Sequence, residues 1–205
     1  MSKEKSINTL LLDGGCFCFN FINTVNSRTE EYVFEYLKTY EDLLDWTEKV
    51  NLLPIERIRK LREYSKKNEK ESQQKLIEII KQRELLYKIF SSIIDQKTLD
   101  EVLVKEFNNS VSGSLSNLAF KFETGKINLV WKAENVDLME PVWVIFKDAF
   151  DILTSISQNR IKACRACGWL FLDGSKNNSR TWCNMRTCGS SNKSRRYYHR
   201  KKEKQ

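Results

Sequence analysis

The segment that decides the C-terminal fold reads Cys164-Arg-Ala-Cys167 and, after fifteen further residues, Cys183-Asn-Met-Arg-Thr-Cys188. Tetrahedral zinc takes four ligands, and two short-spaced cysteine pairs on separate turns place four thiolates around one ion. The spacing therefore predicts one structural zinc ion per chain, bound by Cys164, Cys167, Cys183 and Cys188. The alternatives are iron–sulfur ligation and cysteines that only fill core space.

The only histidine, His199, lies eleven residues beyond Cys188. It is an alternative zinc ligand, but its setting in Arg195-Arg-Tyr-Tyr-His-Arg-Lys-Lys favours a helix that faces a polyanion. Four thiolates leave no open coordination position, which argues against a catalytic zinc. One histidine in a basic tail gives no Ser-His-Asp or Cys-His arrangement, and the chain has neither a phosphate-binding glycine loop nor an HExxH motif. We therefore expect a binding protein and not an enzyme.

Charge is distributed unevenly along the chain. Residues 160–205 contain thirteen lysines and arginines against two acids, a net charge of +11, whereas residues 1–159 contain 22 basic and 25 acidic residues, a net charge of −3. This asymmetry is expected when one end of a protein contacts nucleic acid, although a solvated tail gives the same pattern. The predicted nucleic-acid contacts are the basic residues Arg180, Arg186, Lys193, Arg195, Arg196, His199, Arg200 and Lys201.

Double-stranded DNA is the expected partner, bound by a basic helix that runs from Ser190 to Lys204. Arg180 and Arg186 stand next to zinc ligands, so we expect their side chains to be oriented by the metal site. Phosphate neutralisation does not distinguish DNA from RNA. An RNA-binding or ribosome-associated protein is therefore the alternative, with four aromatic residues available to stack on unpaired bases. These are Trp169, Trp182, Tyr197 and Tyr198, although Trp182 fits a core position better.

Composition places the chain among soluble globular proteins. Of its 205 residues, 40% are hydrophobic and 11% aromatic, enough for one domain plus a small module. It has no apolar run of about 18 residues, and the short N-terminal apolar patch ends at Asp13 without a cleavage site. We expect a cytoplasmic protein with no membrane partner. In that compartment Cys16 and Cys18 are expected to be buried helix residues, with a redox-sensing thiol as the alternative.

The apolar periodicity of residues 1–158 predicts a mostly helical domain. Helices are expected after the Gly14-Gly15 turn, after an N-cap at Thr39, from Pro54, and over residues 76–95, 98–111 and 142–156. Alternating apolar residues in 118–133, around a Thr124-Gly125 turn, predict a β-hairpin. The expected fold is α+β: this helical domain and hairpin, then a small treble-clef-like zinc module, 159–205, ending in the basic helix.

The C-terminal residues resemble the CGNR zinc finger family. The resemblance is carried by the cysteine pairs, by Gly168-Trp-Leu-Phe-Leu-Asp, by Ser179-Arg-Thr-Trp-Cys183-Asn-Met-Arg-Thr-Cys188-Gly, and by Asn192-Lys-Ser-Arg-Arg. One departure is present: this chain has Ser190-Ser191 where the family has Asn-Arg. The arginine of the family motif is therefore absent, and downstream cations such as Lys193 would have to supply its charge.

The N-terminus resembles the ABATE domain that usually precedes this finger. The matching stretches are Gly14-Gly-Cys-Phe-Cys-Phe-Asn-Phe-Ile-Asn23-Thr24-Val25 and Tyr40-Glu-Asp-Leu-Leu-Asp-Trp46. The two resemblances together imply a bacterial, stress-induced transcription regulator. Its first domain would sense a small ligand, and its finger would bind DNA.

Asn23 and Arg28 are the candidate ligand-binding residues of the first domain. With Thr24 and Asn26 they place several hydrogen-bonding groups at the end of an otherwise apolar helix. One interpretation is that Asn23 and Arg28 line a ligand pocket; the other is that this region is a helix cap and a surface loop. A homodimer is a further partner that the sequence leaves open.

Overall fold

The computed structural model describes residues 4–132 and 135–190. It is a mixed α/β structure in which a mostly helical N-terminal region carries a β-hairpin and precedes a small cysteine-containing hairpin, as predicted. The helices are α1 Phe17–Ile22, α2 Tyr40–Lys49, α3 Ile55–Lys67, α4 Glu69–Ile94, α5 Glu101–Leu115 and α6 Glu140–Ser155. The strands are β1 Leu118–Glu123, β2 Lys126–Trp131, β3 Ile161–Ala163 and β4 Leu170–Leu172.

Local sequence signals set several element boundaries. The Thr39 hydroxyl accepts a hydrogen bond from the Asp42 amide at 3.1 Å, and the Asp42 carboxylate accepts one from the Thr39 amide at 2.7 Å, which confirms the predicted cap of α2. Asp100 caps α5 by accepting hydrogen bonds from the Val102 and Leu103 amides. Helix α4 begins at Glu69, before the predicted start, because its first turns expose charged residues and so lack the apolar periodicity of the rest; there the Ser72 hydroxyl donates to the Ser65 carbonyl at 3.4 Å.

Helix α4 is the centre of the packing. It contacts α1, α2, α3, α5, α6 and both strands of the C-terminal hairpin. The largest fully buried side chains around it include Phe19, Phe21, Trp46, Phe90 and Phe146. Within the described residues, none of the helices is long and apolar enough to cross a membrane.

The C-terminal hairpin β3–β4 belongs to the same hydrophobic core. Ile161, Trp169, Leu170 and Phe171 are buried in one cluster with residues of α1, α4 and α6. The two strands pair antiparallel, with Lys162 opposite Phe171. The predicted domain boundary between residues 158 and 159 stays a prediction. One hydrophobic cluster contains residues from both sides of that boundary.

Candidate metal centre

Four cysteine sulfurs converge at one point of the structure. The Sγ atom of Cys167 lies 3.8 Å from that of Cys183 and 3.7 Å from that of Cys188, and the Cys183 and Cys188 sulfurs are 3.7 Å apart. With Cys164, all four lie within 4.8 Å of one another. Zinc–sulfur bonds of about 2.3 Å at tetrahedral angles separate the sulfurs by about 3.8 Å, whereas a disulfide needs about 2.05 Å. The predicted ligands therefore form a site for one structural zinc ion.

Hydrogen bonds within this cluster move the pKa values of Cys164 and Cys183 in opposite directions. Hydrogen bonds from Cys167 and Cys183 lower the pKa of the Cys164 thiol well below its usual value, whereas the hydrogen bond to Cys164 raises the pKa of Cys183. The thiolate is the form that ligates a metal. Zn²⁺ would supply the positive charge that holds the other three thiols deprotonated.

The first cysteine pair lies in the turn between β3 and β4. The Gly168 amide donates to the Cys164 carbonyl at 2.9 Å, and the Cys164 amide donates to the Trp169 carbonyl at 2.8 Å. Gly168 has a φ of +71°, and a Cβ atom there would lie 2.8 Å from the Arg28 Cβ atom. Only glycine fits, because the backbone is left-handed and residues 28–29 cover this turn.

Residues 23–29, which connect α1 to the rest of the helical body, bind this first cysteine turn directly. The Arg28 amide donates to the Cys167 carbonyl at 2.7 Å, and the Thr29 hydroxyl donates to the Ala166 carbonyl at 3.1 Å. From the other side, the Trp169 indole N–H donates to the Val25 carbonyl at 2.8 Å. The zinc site is thus hydrogen-bonded to the N-terminal region as well as packed against it.

Asn23 makes the most buried of these contacts. Its amide nitrogen donates to the Leu170 carbonyl at 2.8 Å, and its amide oxygen accepts from the Leu170 amide at 3.0 Å. The side chain therefore takes the place of a neighbouring strand on the free edge of β4. Asn23 is 1% exposed, so the structure gives it this internal role, and its predicted ligand contact stays a prediction.

The Arg28 side chain is also engaged within the protein. Its guanidinium donates to the Glu84 carboxylate and to the Ile22 carbonyl, both at 2.5 Å, and lies 4.3 Å from the Tyr87 ring centre. Glu84 also accepts from buried Arg83 at 2.8 Å. Burial raises the pKa of Glu84, but hydrogen bonds from Arg28 and the nearby charge of Arg83 outweigh it and lower that pKa. Neither Asn23 nor Arg28 lines the cleft described below.

The loop before the second cysteine pair is organised by Asp173, which the sequence interpretation did not single out. This buried carboxylate accepts from the Lys162 ammonium at 2.7 Å, from the Arg180 amide at 2.8 Å and from the Ser175 amide at 2.9 Å. Burial raises the pKa of Asp173, but these bonds outweigh it and hold that pKa well below its ordinary value. The available signal was Asp173-Gly-Ser directly after a strand, a spacing typical of an Asx-turn.

The second cysteine pair is placed by a short π-helical turn, Met185–Gly189. The Asn184 side chain accepts from the Arg186 amide at 2.8 Å and donates to Asp13 at 3.0 Å. The Arg186 side chain is exposed, as a nucleic-acid contact requires. Arg180 is different: its guanidinium lies 4.9 Å from the Phe171 ring centre and donates to the Cys183 carbonyl. Arg180 thus supports the metal loop.

The remaining predicted nucleic-acid contacts lie outside the described residues. They are Lys193, Arg195, Arg196, His199, Arg200 and Lys201. Trp182, within the described part, packs against the core cluster as the sequence favoured. Cys18 is buried, as predicted, and half-buried Cys16 caps α1 by accepting from the Phe19 amide at 3.3 Å.

Comparison with known families agrees with this geometry. Residues 160–201 match the CGNR zinc finger family. The match covers all four zinc ligands and about a fifth of the chain. No curated protein matches the chain. The CGNR zinc finger therefore describes the C-terminal zinc-binding segment, and the ABATE-type N-terminal domain stays a prediction.

Proposed function

We propose that the chain is a cytoplasmic, DNA-binding transcription regulator. The zinc-bound CGNR segment holds a basic C-terminal helix against the duplex, in a treble-clef-like arrangement. The N-terminal region senses a small ligand or stress signal. This is a binding function without catalysis, which the closed set of four sulfur ligands supports.

The observation that carries the proposal is the charge around and beyond the zinc site. Of the six cations in residues 160–190, Arg165, Lys176 and Arg186 have exposed side chains. Arg165 lies in the first cysteine turn, and Arg186 lies in the second. Residues 191–205 follow with seven further cations and one acid. Cations that a rigid metal site holds near one another bind phosphates with little loss of side-chain and backbone entropy.

A cleft between the two parts of the chain supports the sensing half of the proposal. It has a volume of about 570 Å³ and lies where α1, α6 and β4 meet. Asn20 and Asp148 contribute polar groups, Phe17 and Ile152 contribute apolar walls, and Leu172 belongs to the zinc-binding segment. A ligand bound here would contact both parts at once.

Salt-dependent binding to duplex DNA tests the nucleic-acid half. If about five cations contact phosphates, a plot of log affinity against log salt should have a slope of roughly −4 to −5. Removal of residues 193–205 should abolish most of the binding and flatten the slope, while zinc stays bound because all four cysteines remain. Undiminished binding by this truncated chain would refute the basic-tail mechanism.

Two further measurements separate the alternatives. Competition with single-stranded RNA distinguishes the DNA-binding proposal from the RNA-binding one. If single-stranded RNA displaces duplex DNA from the protein more effectively than unlabelled duplex DNA does, the RNA-binding alternative, with aromatic residues stacked on unpaired bases, is favoured. Lys70→Ala is a matched control for charge, because Lys70 is an exposed lysine in the N-terminal region. A loss of affinity in this control as large as in Arg186→Ala would mean that the net charge, and not the zinc segment, drives binding.

A further inference from the structure

One face of the β1–β2 hairpin carries four large apolar side chains that remain exposed in the described structure. Phe120 and Phe122 are 65% and 74% exposed, and Ile127 and Leu129 are 66% and 50% exposed. Phe120 pairs with Leu129, and Phe122 pairs with Ile127, in antiparallel register. Alternate residues of a strand share a face, so all four side chains lie on the same side of the hairpin.

Among the described residues, the following contacts between the hairpin and the body of the protein lie at the base of the hairpin. Trp131, on the same face, stacks on Trp143 of α6 with 6.3 Å between ring centres. The Lys132 amide donates to the Asn117 carbonyl at 2.7 Å, which continues the strand pairing, and the Lys132 ammonium donates to the carbonyl of Ser116, the C-cap of α5, at 3.2 Å. The face is therefore continuous with the core at one end and unpartnered, among the described residues, at the other.

The opposite face of the hairpin is polar except for Ala119 and Val130 near its base. It carries Lys121 and Glu123, which form an ion pair at 3.0 Å, and it carries Asn128. An isolated hairpin in water is marginally stable, and soluble monomers rarely expose contiguous apolar patches beyond a few hundred Å². The apolar face is therefore the face of the hairpin on which binding of a partner would be favourable.

We infer that the hairpin face, defined as Phe120, Phe122, Ile127 and Leu129, is the surface through which two copies of the chain associate. If a fully exposed side chain of this size offers about 150–200 Å², the four leave roughly 400–500 Å² of apolar surface uncovered. Two copies together would bury about 800–1,000 Å², at or below the roughly 1,000 Å² that a stable specific interface exceeds. The dimer is therefore weak and dissociates on dilution.

The pattern of the face suits a second copy better than other occupants. Its two cross-strand pairs form a square of two aromatic and two aliphatic side chains. A twofold axis that lies between two facing hairpins and runs parallel to their strands sets the phenylalanines of one copy against the aliphatic residues of the other, so both copies use the same patch, as in an isologous interface. The basic segment 191–205 is a poor complement, because seven of its fifteen residues are cationic and burial of unpaired charge against apolar side chains is unfavourable.

Sedimentation velocity of the full-length, zinc-loaded protein tests this inference. The wild type should pass from monomer to dimer as its concentration rises through the micromolar range. Phe120→Thr with Phe122→Thr keeps β-strand propensity and removes half of the apolar face. We expect this double variant to have a dimer dissociation constant raised at least about tenfold, with unchanged zinc content and far-ultraviolet circular dichroism.

Lys121→Thr with Asn128→Thr is the matched control, since it makes the same kind of substitution on the polar face. It should dimerise like the wild type. A wild type that stays monomeric up to millimolar concentration, or a phenylalanine double variant that dimerises normally, would overturn the inference. So would dimerisation only after removal of residues 191–205, because that result would show that this segment covers the face. The measurement follows association through the sedimentation coefficient and does not depend on nucleic-acid binding.

Discussion

The two cysteine turns supply two sulfurs each to one zinc site, but their surroundings differ. The first turn, around Cys164 and Cys167, is covered by residues 23–29 and hydrogen-bonded to them. The second turn, around Cys183 and Cys188, exposes Met185 and Arg186. The same ligand chemistry therefore has two kinds of surroundings: the helical body covers the first pair, whereas the second pair, linked to that body through Asn184 and Asp13, also orients side chains toward solvent.

The largest expected effect is that of removing the metal from both turns. A zinc module that folded independently would melt alone in the variant Cys183→Ser. Because Cys164 and Cys183 lie in the core cluster shared with α1 and α4, we expect a single cooperative transition at lower temperature. Binding free energies of structural zinc are about 10–16 kcal/mol in small modules at neutral pH, so this variant should lose most of its zinc and much of its stability.

Differential scanning calorimetry with metal analysis checks this expectation. Cys16→Ser is a matched control, because Cys16 caps α1 away from the cluster and serine is a good N-cap. It should retain zinc and nearly all of its stability. Two separate transitions in Cys183→Ser would show instead that the attachment of the first turn is too weak to couple the parts.

A smaller loss is expected from Asp173→Asn, which acts on the second turn. This change removes the charge that holds Lys162 and weakens the loop leading to Cys183. Breaking a buried ion pair costs about 3–5 kcal/mol, and we expect about 3 kcal/mol because the Lys162 side chain is 22% exposed. Urea denaturation at neutral pH measures this difference from the wild type.

The pH dependence of that difference has a definite sign. The pKa of Asp173 is lowered in the folded protein, so its contribution is complete above the ordinary value of 3.8 and is lost as the pH falls below it. The difference in the free energy of unfolding between wild type and Asp173→Asn should therefore decrease at acidic pH. A difference that is constant with pH would mean that packing, and not charge, sets the effect of the substitution.

Asn23→Ala tests the attachment of the first turn. It leaves the Leu170 amide and carbonyl without partners in a buried position, and each unsatisfied group costs about 1–3 kcal/mol. We expect a loss of about 2 kcal/mol in the free energy of unfolding, with zinc retained. Asn128→Ala, at an exposed position of β2, should change stability by less than about 0.5 kcal/mol. If the two variants were equally stable, the first turn would not be attached through Asn23.

The smallest effect on stability is expected for Arg186→Ala. Its side chain is exposed, so the free energy of unfolding should change by less than about 0.5 kcal/mol. Loss of one phosphate contact should reduce the slope of log affinity against log salt by about 1. If Arg186 contacts a base edge, the preferred site should instead weaken by about 1–3 kcal/mol and non-specific binding should stay nearly unchanged.

Arg180→Ala is the contrasting variant. Arg180 stacks on Phe171 and donates to the Cys183 carbonyl, so its removal should lower stability by about 1 kcal/mol. Thermal denaturation and DNA titration of both variants separate the two roles. If the Arg180→Ala protein had wild-type stability but impaired DNA binding, the prediction that Arg180 contacts nucleic acid would be supported instead.

The elements with strong local signals were predictable. Thr39 with Asp42 marks the start of α2, the alternation around Thr124-Gly125 marks the hairpin, and the cysteine spacing marks the zinc site. Each depends on residues that are close in sequence, so its geometry follows from backbone preferences and ligand number alone. For the same reason the sequence placed the excess positive charge at the C-terminal end without reference to any fold.

Tertiary structure decided what these local units contact. Asn23 meets Leu170 across 147 positions of the chain, and no local pattern reports such a pairing. A polar residue at a helix end looks the same whether it lines a pocket or binds a strand edge. The role of Arg180 was equally hidden, because a guanidinium beside a metal ligand suits both a phosphate and a backbone carbonyl. Sequence thus determined which chemical groups are available at each position, and packing between distant segments determined which partner each group contacts.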